Sequence, residues 1–171
     1  VVVNDDGGTL GVADFPLFIT PAAGGTAIPA TSGVPVNLAH GDYIVSETPH
    51  SDYTASAWSG DCAANGAITL SPGIGYSCTI TNDDKPGTLT LTKTVVNDDG
   101  GTLGVADFPL FITPAGGGTA IPATSGTPVT LDAGDYIVSE TEDPAYAASA
   151  WGTDCAANGA ITVAPGGTYT C

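Results

Sequence analysis

The sequence predicts an all-β protein made of two tandem β-sandwich domains, and three observations carry that prediction. Residues 1–78 return as residues 94–171, displaced by 93, and 60 of the 78 aligned pairs are identical. Short β-rich runs alternate with turn signals (NDDGG, TPAAGG, ATSG, AHGD, AANG, SPG), and no stretch has helical periodicity. Each copy holds two cysteines at one spacing, Cys62 with Cys78 and Cys155 with Cys171. A period of this length suits one small sandwich per copy. The expected domains are residues 1–86 and 87–171, joined through Asp83-Asp84-Lys85-Pro86-Gly87. A short linker with Pro and Gly favours a semi-rigid linear array.

The strands follow in order. Residues 15–20 form a β-rich run closed by TPAAGG, and residues 34–38 lie between ATSG and AHGD. Residues 43–48 alternate, placing Tyr43, Val45 and Glu47 on one face. Residues 53–58 run from Tyr53 to Trp58, and residues 67–70 follow Asn65-Gly66, a typical hairpin dipeptide. Residues 76–81 align Tyr76, Cys78 and Ile80, with Asn82 next on that face. Residues 88–96 align Leu89, Leu91, Lys93 and Val95 against a threonine face. About seven short strands per copy is the pattern of an Ig-like or prealbumin-like sandwich. Copy 1 begins just after the position equivalent to Lys93, so its first strand is expected to be lacking. Copy 2 stops at Cys171, so its last strand is expected to be lacking too. A chain that starts at Val1 reads as a mature or excised piece.

Eighteen acidic residues stand against two lysines, giving a net charge of -16. That excludes a basic groove for nucleic acid, and anionic membrane surfaces would repel the chain. No stretch is long and apolar enough to insert in a bilayer. Paired cysteines within each copy predict one disulfide per domain and an oxidising setting, extracellular or at the cell surface. Closing so short a loop adds about 3 kcal/mol per domain. Zinc is disfavoured, because CxxC and paired histidines are both absent.

Strand alternation turns Lys93 toward the core, the alternative being a strand-end lysine that snorkels to solvent. Lys93, Asn82 and Glu47 (Glu140 in copy 2) each end an apolar strand face. A buried lysine is costly when charged and becomes a nucleophile once neutral. Beside an asparagine carboxamide it can attack the amide carbon and release ammonia, with a glutamate shuttling the proton. The product is an isopeptide bond between the first and last strands.

The segments LTLTKTVVND, DFPLF, GDYIVSETxxxxxY and CTITND resemble the B-type stalk domains of collagen adhesins and the SpaA-like pilin domains. The resemblance covers essentially the whole period, and the E-T motif with its following Tyr is its most specific part. It implies a prealbumin-like fold, with Lys93 as nucleophile, Asn82 as acceptor, and Glu47 and Glu140 as the catalytic acids. Two departures stand out. The P-x-G-Y that follows the Glu motif in the family is here HSDY and PAY, and a disulfide is not general in that group. The partners are also split: domain 1 has Glu47 and Asn82, whereas domain 2 has Lys93 and Glu140.

Acidic clusters follow the end strands: Asp5 and Asp6 after the first, Asp83 and Asp84 after the last, with Asp98 and Asp99 repeating the first. If those strands run parallel, the four carboxylates of domain 1 gather at one end, a setting for Ca²⁺. The alternative is Asx-rich turn chemistry. Calcium is the one cofactor the sequence suggests.

No conventional active site stands out. His40 and His50 face Ala133 and Asp143 in the other copy, so no activity shared by the copies depends on them. Trp58 and Trp151 recur and are expected in the core near the disulfides. The leading expectation is a structural repeat of an adhesin, stalk or extracellular filament, whose partners are further copies of the same repeat. A matrix- or carbohydrate-binding module, and a filament subunit assembling by strand complementation, are the alternatives.

Overall fold

A computed structural model describes all residues, Val1–Cys171, as two compact units, Val1–Lys85 and Pro86–Cys171. In the first unit the strands are β1 (Val2–Val3), β2 (Leu17–Pro21), β3 (Ile28–Ala30), β4 (Gly41–Glu47) and β5 (Tyr53–Ala55). They are followed by β6 (Ser59–Gly60), β7 (Ala67–Leu70), β8 (Cys78–Thr79) and β9 (Asn82–Asp84). The second unit has β10 (Gly87–Thr90), β11 (Leu110–Pro114), β12 (Ile121–Ala123) and β13 (Pro128–Leu131). It ends with β14 (Gly134–Glu140), β15 (Ala160–Val163) and β16 (Thr168–Thr170).

Each unit contains the same four-stranded antiparallel sheet, in the order β3-β2-β4-β7 or β12-β11-β14-β15. The pairing registers are equivalent: Ile19 faces Val45 in one copy, and Ile112 faces Val138 in the other. The second sheet differs between copies. In unit 2 it is β13-β10-β16, with β10 antiparallel to β13 and parallel to β16. In unit 1 it is β1-β9-β5, with β1 parallel to β9. Each copy therefore shows a different stretch of one two-strand contact. Unit 2 retains the start of the first strand, and unit 1 retains its last two residues.

Burial follows from that difference. In unit 2 Leu89 and Leu91 on the first strand are fully buried. They pack in one cluster with Leu110, Ile112, Val138, Ile161 and Val163 of the four-stranded sheet. The counterparts in unit 1 (Leu17, Ile19, Val45, Ile68 and Leu70) are only half-buried, because no strand carries the two leucines there. Trp151 packs against the unit 2 core, as expected.

Several strand bounds depart from the sequence reading. Residues 34–38 form no strand in unit 1, whereas the equivalent β13 does form in unit 2. Its ladder partner is β10, and unit 1 has no counterpart of β10. Residues 53–58 shorten to β5, and the equivalent stretch of unit 2 is irregular because the partner of β5 is β9. Phe15 and Phe108 are not strand residues. Each follows a 3-10 turn, at Val12–Asp14 and Val105–Asp107, and the strand begins two residues later.

Candidate functional site

In unit 2 strand β10 pairs with β13 and β16 and then runs on past Leu91 to Lys93. The Thr92 N–H donates to the Cys171 carbonyl at 2.7 Å, and the Cys171 N–H donates to Thr90 O at 2.9 Å. The Gly126 N–H donates to Leu91 O at 2.8 Å, and the Lys93 N–H to Ser125 Oγ at 2.8 Å. So held, Lys93 turns inward, with its side chain 18% exposed. Its Nζ lies 2.6 Å from Glu140 Oε2, at the end of β14, and 4.6 Å from the centroid of the Phe108 ring. Phe108 is buried and meets Tyr146 edge-on. The ion pair and the ring face offset the desolvation of the ammonium, so Lys93 rests as half of a short charge-assisted contact.

Unit 1 shows the other half. Asn82 is 3% exposed, and its Nδ2 donates to Glu47 Oε2 at 2.9 Å. The second oxygen, Glu47 Oε1, is buried without a hydrogen-bond partner. A groove of about 240 Å³ opens beside Glu47 and Asn82. Its walls include Phe15, Ser32, Gly33, Ser77 and Cys78. Their counterparts in unit 2 are Phe108, Ser125, Gly126, Thr170 and Cys171, most of which hold residues 90–93. The groove corresponds to the place where unit 2 holds residues 90–93.

The two copies share one register. Thr88 pairs with Thr168, the counterpart of Gly75, while Val2, the counterpart of Val95, pairs with Asn82. In the numbering of one repeat these pairs are 88 with 75 and 95 with 82, the same offset of 13. Continued through that register, Lys93 falls opposite Ile80, and Asn82 is the next residue on the same face. One glutamate position thus touches the lysine in one copy and the asparagine in the other. No unit of residues 1–171 contains both.

The acidic clusters are only partly gathered. Oxygens of Asp5, Asp6 and Asp84 lie within 4.8 Å of one another, while Asp83, Asp98 and Asp99 stay outside that group. Asp84 is buried, and its two oxygens accept the N–H groups of Asp6 (3.1 Å) and Gly8 (2.5 Å). Those bonds use much of its acceptor capacity and leave a hard cation mainly the exposed Asp5 and the half-buried Asp6. Slight desolvation, then the carboxylates of Asp5 and Asp84, raise Asp83 above its ordinary value.

Strand alternation assigned no role to some of the working parts. Phe108 and Ser125 gave no periodic sign of contact with the lysine strand. The role of the Tyr in the E-T-x-x-x-x-x-Y pattern was equally invisible. Tyr53 Oη donates to Asn4 Oδ1 (2.6 Å) and accepts the Leu10 N–H (3.0 Å). Tyr146 repeats this with Asn97 and Leu103. The tyrosine clamps the acidic loop, and a Cβ on Gly8 or Gly101 would collide with its hydroxyl.

A family model described as a prealbumin-like fold domain, SpaA_2, matches residues 1–80 and again 84–171. Among solved structures, the Bacillus anthracis TIE protein aligns with 99% of this chain at 17% identity and a TM-score of 0.50. The chain spans 31% of that protein's length, and the likeness shows the fold alone. No curated protein matches the chain by sequence.

Proposed function

Because the chain belongs to the family of SpaA-type prealbumin-like domains, we propose that it is a structural stalk module of a surface-anchored or secreted protein. Its partners in that reading are further copies of the same repeat. The position shared by Glu47 and Glu140 carries the reading, for it sits on an asparagine amide in one copy and a lysine amine in the other.

That arrangement suits one reaction. Glu140 takes a proton from the Lys93 ammonium, leaving a neutral amine that attacks the Cγ of an asparagine placed as Asn82 is. The Nζ–Cγ bond forms and the Cγ–Nδ2 bond breaks. The glutamic acid gives that proton to the departing nitrogen, its carboxylate takes the second proton that Nζ sheds as the amide forms, and ammonia leaves with the glutamate protonated. Asn82 is buried and the Lys93–Glu140 pair is half-buried, which limits the access of water to the reacting atoms. Nothing is oxidised or reduced, and the product ties the first strand to the last. A stalk so tied resists pulling at its ends, because load passes through covalent bonds instead of strand ladders.

The test restores both partners to one domain. The full chain, extended at its C-terminus by a copy of residues 79–93, is expected to lose one ammonia by intact mass. Glu140→Ala in that chain should retain it. An unshifted mass in the unsubstituted chain would remove the crosslink from the reading.

Strand complementation, in which a strand of one chain pairs with a sheet of another, is the second reading. Light scattering across a concentration series checks it: growing oligomers support the reading, and a constant monomer mass discards it.

A further inference from the structure

We propose that the disulfide of each copy, Cys62–Cys78 and Cys155–Cys171, is a positioning element for the lysine–asparagine crosslink, fixing the last strand in register against the first before the amide forms. The inference rests on the crosslinking reading above and adds to it the part that sets the geometry.

The half-cystine sits at the meeting point of the two strands. Cys171 both accepts from Thr92 and donates to Thr90, so it lies opposite Leu91, one same-face step before Lys93. In unit 1 its counterpart Cys78 lies two same-face steps before Asn82, on the same run of chain. The bridge therefore fastens the last strand beside the nucleophile on one side and the acceptor on the other.

Two further tethers converge on that point in both copies. The Asp61 N–H donates to Ser77 O (2.8 Å), and the Asp61 carboxylate accepts the Ser77 N–H (2.7 Å). Asp154 repeats this with Thr170, at 3.0 and 2.7 Å. The residue before each aspartate adopts a left-handed backbone, Gly60 at φ 79° and Thr153 at φ 64°. Thr153 is the only non-glycine residue with positive φ in the chain. A β-branched residue there is unfavourable, and the turn persists because it delivers the aspartate and the cysteine together to the last strand.

Such fastening has a chemical use. The contact between first and last strands is parallel and spans few residues, and an error of about 1 Å at reacting atoms can cost about a hundredfold in rate. Without the bridge, the last strand is held at this point by hydrogen bonds alone and its register is free to slip.

The experiment uses the full chain extended by a copy of residues 79–93, in which only unit 2 holds all three reacting groups. The rate of ammonia loss after refolding is read by intact mass for the oxidised chain and for the Cys155→Ser, Cys171→Ser double variant. Circular dichroism confirms that both are folded at the assay temperature. The variant is expected to react at least about tenfold more slowly. Its rate profile against pH should keep its shape, since the glutamate chemistry is untouched. Equal rates in two folded chains would overturn the positioning role and leave the crosslink standing. No ammonia loss even in the oxidised chain would overturn both. Should the double variant fail to fold, trimethylamine N-oxide restores compactness without restoring the bridge, and the same comparison is then made.

Discussion

At the scale of single residues, Glu140 is held by its short ion pair with Lys93. Removing Lys93 by substitution to Ala leaves the Glu140 carboxylate half-enclosed without its cation, and unit 2 should lose about 1–3 kcal/mol in chemical denaturation. Thr153→Gly should act in the opposite sense. It relieves a β-branched side chain from positive φ and is expected to stabilise unit 2 by about 1 kcal/mol, read as a higher denaturant midpoint. Asp83 adds a pH dependence. Its folded value is raised, so the stability it contributes is present below the ordinary carboxylate value of 3.8 and is lost as pH rises through the raised one. Asp83→Asn should therefore raise the melting temperature of unit 1 slightly at pH 7, with the gain vanishing in acid. An equal gain at both extremes would rule out electrostatic relief. These effects depend on which neighbour each side chain meets, and alternation predicted only part of that. It turned Lys93 and Asn82 inward, where the structure also places them. It said nothing of Phe108 or Ser125, which reach the lysine strand from segments distant in sequence.

At the scale of elements, strands exist here only where their partners do. β13 forms in unit 2 because β10 offers it a ladder, and the same residues stay irregular in unit 1. The local sequence is nearly the same in both copies, so propensity does not decide the matter. The two leucines of the first strand are the main apolar load of that element. Leu91→Ala, at a fully buried position, should cost unit 2 about 2–5 kcal/mol. The disulfides add stability of another kind, since they restrict the unfolded chain. Reducing either should lower the stability of its own unit by about 3 kcal/mol and leave the other unit unchanged. The acidic loop is an element too, clamped by Tyr53 and by Asp84. Calcium, if it acts there, should shift the melting of unit 1 and not that of unit 2, whose Asp98 and Asp99 lack a third carboxylate nearby. A scan with and without millimolar calcium decides between the ion and plain turn chemistry.

At the scale of the whole molecule, the two units should not melt alike. Their sequences nearly coincide, yet unit 2 buries Leu89 and Leu91 among residues whose counterparts in unit 1 are half-exposed. Calorimetry is expected to resolve two transitions, the later one belonging to unit 2 and selectively lowered by Leu91→Ala; a single joint transition would contradict this. The sequence by itself determined the all-β class, the tandem repeat, the spacing of the cysteines and the inward set of Lys93, Asn82 and the two glutamates. Repeats, alternation and cysteine spacing are local or self-referential patterns, readable without knowing what any strand meets. Only the tertiary structure decided the shared parallel register, the groove beside Asn82, the Phe108 face under Lys93, and which carboxylates gather. Those depend on contacts between segments far apart in the chain, and near-identical copies settle them differently because each folds against a different complement of strands.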